Sequence, residues 1–183
     1  MTAFTLGEQA RRVGHYAWAE LRMFEILGGW VQQVPELEVK LQLGTQSYHH
    51  AWHAELWRKR LPELADVEPD ALVVPAKPEF AAFFNALREA DGRDRTVEKL
   101  VGVYRVTIPR MVAIYSSHLD QTTKVAEAPT IRVLKLVLAD AMDDWRAGEL
   151  LIHTLMATVD DARRANEHQA RLEGLLIGTG CWA

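Results

Sequence analysis

Six residues near the end of the chain's first third, Tyr48-His49-His50-Ala51-Trp52-His53, hold three of its seven histidines. On a helix, His50 and His53 share one face with Leu43, Gln46 and Trp57, and His49 stands four residues from His53. Two imidazoles at this spacing can hold one metal ion, as in zinc and non-haem iron sites. The competing account is an aromatic-lined core in which each histidine hydrogen-bonds to a carboxylate. Glu20 can supply that carboxylate. It lies seven residues after Val13 and four before Phe24, on an otherwise apolar stripe. A carboxylate there is costly unless it is paired or bound to metal. Glu20, His50 and His53 thus make a candidate two-histidine-one-carboxylate set, which suits a single divalent iron with open positions. Without metal, the same groups are an acid–base pair.

Asp144 falls on a face with Val137, Ala141, Gly148 and Leu155, as a fourth ligand or a group that orients one histidine. Asp140 and Asp143 read as partly solvated. Glu149 and His153 are four apart and could share a metal, but flank that stripe. The segment between Glu98 and Asp120 has no carboxylate, and its inward candidates are Tyr104, Ile108, Met111, Tyr115 and His118. Tyr104 and Tyr115 read as pocket walls first and catalytic groups second. A small-molecule substrate is expected against Trp18, Phe24, Trp52, Met111 and Tyr115.

The elements that position these residues are helical. Helix A spans about 6–32, with the stripe Val13, Tyr16, Ala17, Phe24 and Leu27. Pro35 starts helix B, about 35–61, and Pro62 ends it. Residues 62–78 hold four of the seven prolines and read as a long crossover. A short helix follows at 78–90, and Asp91-Gly92 breaks it. Helix C spans 96–119 with a kink expected at Pro109. Helix D spans 129–157, and the charged tail helix, 159–176, reads as its bent continuation. The expected fold is all-α and single-domain over 1–183, with antiparallel pairs A/B and C/D forming a four-helix bundle.

Composition narrows the function. With 183 residues, 49% of them apolar, the chain can bury one sizeable core. A net charge of −4 argues against nucleic acid and against an anionic membrane surface. No apolar stretch reaches spanning length, since even Ile131 to Met142 is broken by Arg132, Lys135 and Asp140. Met1 to Leu6 lacks the pattern of a signal peptide. Cys181 stands alone and cannot form an internal disulfide, which fits a cytoplasmic protein. Phe80, Phe83 and Phe84, with the tail, predict either a surface covered by a homodimer or a hetero-partner, or a crossover helix that packs on its own bundle.

The stretch Trp30 to His53 resembles the ferritin-like oxygenase subunits of the phenylacetyl-CoA epoxidase group. The shared pattern is a helix-A Glu ten residues before a Trp, a Pro five after it, and a Glu-x-x-His motif in helix B. Glu20, Trp30 and Pro35 fit, and the motif falls on His50-Ala51-Trp52-His53, with His50 in place of the bridging Glu. The family's second Glu-x-x-His, followed by Arg and Gly, falls on Ala141-Met142-Asp143-Asp144, Arg146 and Gly148. There Ala141 replaces the Glu and Asp144 replaces the His. The resemblance implies a ferritin-like bundle and oxidation of a small organic molecule with dioxygen. The changed ligands argue against an intact two-iron site. They leave one divalent iron, or another divalent metal, on Glu20, His50, His53 and Asp144. Two alternatives stay open: a metal-free isomerase, cyclase or lyase, and a non-catalytic subunit, of which the epoxidase group itself has an example.

Overall fold

The computed structural model describes residues 4–62, 67–90, 92–123 and 127–177; Asp91 of the expected helix break and Cys181 lie outside them. Among the described residues the regular structure is all helical, with no strand. No helix among them is long and apolar enough to cross a membrane.

Helix α1 (Leu6–Trp30) begins with a reciprocal cap: the Glu8 amide donates to the Thr5 hydroxyl, and the Glu8 carboxylate accepts from the Thr5 amide at 2.7 Å. Its buried stripe runs Ala10, Val13, Ala17, Glu20, Met23, Leu27 and Trp30. The stripe passes through Met23, which leaves Phe24, expected to face inward, about 100° further round the helix and exposed. Helix α2 (Leu37–Arg58) starts two residues after Pro35, because Glu36 is still extended, and packs along α1. A 3₁₀ turn at Pro69–Leu72 then crosses α1. There the Leu72 carbonyl oxygen would stand 2.1 Å from any Cβ at position 14, so the close approach requires Gly14.

Helix α3 (Pro78–Arg88) carries Phe80, Phe83 and Phe84, and all three are buried. Of the two readings of these aromatics, the structure has the one in which the helix packs on its own chain. Trp18 packs edge-on against Phe84, and the tail helix α7 (Val159–Ile177) lies against α3. The tail is not a continuation of the preceding helix α6 (Ala128–Leu155). Thr158 and Asp161 cap each other's backbone amides, at 3.0 and 3.1 Å, and start α7 afresh.

The expected helix C is continuous but not uniform. Residues Thr96–Val101 (α4) are α-helical, Gly102–Thr107 form π-helical turns, and Ile108–Gln121 (α5) return to α. Pro109 lacks the N–H that the Arg105 carbonyl would accept in an α-helix. The widened turns precede it, with the Ile108 amide on the Val103 carbonyl and the Thr107 hydroxyl on the Gly102 carbonyl at 2.8 Å. Helix α6 packs against α5, α2 and α4. At Gly148 it meets the Tyr104 ring so closely that a Cβ would lie 2.2 Å from it.

Candidate metal centre

Helix α1 contributes Glu20, α2 contributes His49, His50 and His53, α5 contributes Tyr115, and α6 contributes Asp140 and Asp144. The inward period of α1 and α2 brings Glu20, His50 and His53 into the core, each nearly free of solvent. One potential ligand atom from each of the three lies within 4.8 Å of the other two, the geometry of a possible metal site.

Both oxygens of Glu20 are engaged. Oε1 accepts from the Tyr115 hydroxyl at 2.6 Å, and Oε2 is hydrogen-bonded to His50 Nδ1 at 2.5 Å. His53 places Nδ1 at 3.7 Å from the same Oε2, too far for a hydrogen bond. Its other nitrogen, Nε2, is anchored on Asp140 Oδ2 at 2.9 Å. Among the described residues, His53 Nδ1 and His50 Nε2 are buried without a hydrogen-bond partner.

Burial alone would raise the Glu20 carboxyl, but the His50 charge and hydrogen bond, with His53 beside them, outweigh it and hold Glu20 at about 2. For His53, burial alone would lower the imidazole, and the Glu20 and Asp140 carboxylates together raise it to about 8. The Tyr115 hydroxyl is pushed well above its ordinary range by burial and by the Glu20 charge, so it is held as a donor.

Two carboxylates of α6 divide between two histidines of α2. Asp140 takes His53, and Asp144 takes His49 Nδ1 at 3.1 Å. Asp144, read from sequence as a fourth ligand or an orienting group for the site, therefore orients His49 instead. Asp140, read as partly solvated, is half-buried and holds His53. The signal was present in the spacing: His49 and His53 are four apart, as are Asp140 and Asp144, so facing antiparallel helices can pair them twice.

The remaining expected site residues scatter. Tyr104 is buried but donates to Gln46 Oε1 at 2.5 Å, while Gln46 Nε2 donates to the Asp144 backbone carbonyl at 3.3 Å. Trp18 packs on Phe84, away from the cluster. Trp52 turns outward, although its ring stays 5.9 Å from that of His53. Met111 is buried in the apolar core. Glu149 is held by the Arg105 guanidinium through contacts of 3.0 to 3.3 Å, and His153 is exposed, so that pair forms no site. Tyr115, expected as a pocket wall first and a catalytic group second, is the residue that holds Glu20.

No protein-family model matches the chain, and neither a curated protein nor a solved structure matches it.

Proposed function

We propose that this chain is a small-molecule enzyme on a ferritin-like four-helix bundle, with one divalent metal ion held by Glu20, His50 and His53. The observation that carries the reading is the unpartnered Nδ1 of His53, buried beside the Glu20 carboxylate while Nε2 is fixed on Asp140. A carboxylate on the far nitrogen is the usual way to fix the tautomer and orientation of a metal-binding histidine. The donor set of two imidazoles and one carboxylate fits divalent iron, and zinc also fits it. Bound iron would supply open positions for oxidation chemistry on a small organic molecule.

The chain's own residues have separate tasks. Tyr115 fixes Glu20 through Oε1, which leaves Oε2 for the ion. Asp140 fixes His53. To hold an ion, His50 and Glu20 would give up the proton of the hydrogen bond between them, so binding would release protons. Metal analysis of untagged protein, followed by anaerobic titration with ferrous iron, tests the reading. One equivalent bound is expected in the wild type and none in His53→Ala. A wild type that stays metal-free after reconstitution with ferrous iron and with zinc overturns it.

One observation favours a second, metal-free reading. Tyr115, Glu20 and His50 form an unbroken hydrogen-bonded chain with contacts of 2.6 and 2.5 Å, a ready path for proton transfer in an isomerase, cyclase or lyase. Turnover by metal-free protein, lost in Glu20→Gln, is its signature.

A further inference from the structure

Helix α2 is not cleanly amphipathic, because part of its outward face is also apolar. Leu37 is 63% exposed, Leu41 64%, Tyr48 66% and Trp52 37%. On a helix these four residues lie within a stripe about 60° wide, and Gly44 extends it to about 80°. From Leu41 to Trp52 the exposed positions are Leu41, Gly44, Thr45, Tyr48 and Trp52, and none carries a charge. Single exposed apolar residues are ordinary, but a continuous uncharged stripe over three turns marks an interaction surface.

The order of the side chains along the stripe identifies the occupant. Leu41 precedes the point between Gly44 and Thr45 by as much as Tyr48 follows it. Leu37 precedes that point by as much as Trp52 follows it. A twofold axis through that point turns the stripe onto itself, so that Leu41 meets Tyr48 of a second copy and Leu37 meets its Trp52. This self-complementarity is the condition for an isologous dimer, in which residue i contacts j and j contacts i. A different partner would have no need for such symmetry. At the centre, a Cβ at position 44 would meet nothing within 4 Å, so the surface is open there and glycine lets two backbones approach closely. Phe24, also exposed, stands on α1 beside the same region, its carbonyl accepting from the Ser47 hydroxyl at 3.0 Å.

We infer that the outward face of α2 is a homodimer interface, with two copies of α2 crossing antiparallel about a twofold axis between Gly44 and Thr45. The occupant is a second copy of this chain.

Sedimentation velocity and light scattering on the full chain test this. Twice the single-chain mass is expected for the wild type and for Ile177→Glu, a substitution on α7, which lies against α3 and α4. The double variant Leu41→Glu/Tyr48→Glu places like charges opposite each other and should halve the mass without changing far-UV circular dichroism. In a Cys181→Ser background, Thr45→Cys should oxidise to a covalent dimer, since position 45 lies at the axis. This readout still decides the matter if the double variant fails to fold. A wild type of single-chain mass overturns the inference. So does a dimer that survives the double variant, or a Thr45→Cys chain that stays unlinked under oxidation.

Discussion

Of the sites where histidine is buried in this core, the one around His118 and the one around Glu20 are built on opposite principles. Around His118 every polar atom of the ring has a partner: Nδ1 bonds to the Tyr16 hydroxyl at 3.1 Å and Nε2 to Gln9 Oε1 at 3.0 Å. Gln9 Nε2 passes the chain on to Glu127 at 3.0 Å. Burial and the nearby Arg12 push His118 down to about 4, so it is neutral in the fold. Around Glu20, by contrast, a carboxylate is charged, two imidazoles converge on it, and each leaves one buried nitrogen without a partner. A buried imidazole is therefore not by itself the mark of a site. The mark is an imidazole whose hydrogen bonds are incomplete next to a fixed charge, because that is what a metal ion or a moving proton completes.

The sharpest way to break this contrast is to remove one histidine from each cluster. His53→Ala should weaken divalent metal binding by more than about a hundredfold, since even partners of ligands cost about 10–100-fold. His118→Ala should leave metal affinity unchanged and lower the melting temperature. Calorimetric titration with zinc and ferrous iron reads the first, and thermal unfolding reads the second. Equal metal affinity in wild type and His53→Ala would erase the distinction.

A smaller effect tests the pairing between α2 and α6. Asp140→Asn removes the carboxylate that orients His53 and should cost about 10–100-fold in metal affinity. Asp144→Asn alters only the partner of the half-exposed His49 and should leave affinity within about twofold, on the same principle that only groups bonded to a ligand tune it. If Asp144→Asn is the more damaging, the roles read from the spacing of the helices are reversed.

The trio itself was legible in the sequence because its members interrupt apolar stripes at helical period: Glu20 among Val13 and Leu27, His50 and His53 among Leu43 and Trp57. The helices were legible to within a few residues for the same reason, helped by Pro78 and Pro129 at their starts. The groups attached to the trio were harder to read. Asp140 sits at the edge of its stripe and reaches His53 only because α6 runs antiparallel to α2 at one register, which is a property of the packing. Tyr115 looked like any aromatic core residue until its hydroxyl was seen on Glu20. The π-helical turns before Pro109 compete with a simple kink, and the sequence around Gly102 does not distinguish them. The burial of Phe80, Phe83 and Phe84 was left open by the sequence because α3 packs on Trp18 and on the charged tail, whose narrow apolar edge of Ala165, Leu172 and Leu176 is hidden in its composition.

Hydroxyl deletions compare the clusters without changing their shape. Tyr115→Phe leaves an oxygen of the charged Glu20 without its donor and should destabilise the fold by about 2–3 kcal/mol. Tyr16→Phe deprives a neutral imidazole of a neutral partner and should cost about 1 kcal/mol. Chemical denaturation of the two variants under the same metal-free conditions measures the difference. A larger loss for Tyr16→Phe would mean that the charge at Glu20 is not what its partners stabilise.

The smallest expected effect is the dependence of stability on pH in the saturated cluster. His118 has a folded value of about 4 against an ordinary value near 6.5, so between these limits the unfolded chain binds more protons than the folded one. Stability contributed by the neutral ring is thus fully present above about pH 6.5 and declines as pH falls towards 4. The groups that face the ring are Tyr16 and Arg12 on α1, Gln9 with Glu127 behind it, and the edge-on Phe4. None of them brings a carboxylate into direct contact with the imidazole, which is why protonation finds no compensation. His118→Gln cannot titrate, and the other carboxylates and histidines contribute alike in both proteins. The difference between wild type and variant should therefore shrink by about 1 kcal/mol between pH 6.5 and pH 5.5, close to the limiting slope for one proton. Urea denaturation at those two pH values reads it directly. A difference that stays constant would mean that the folded core takes up a proton at His118 as readily as the unfolded chain does, so that this cluster accommodates charge as well.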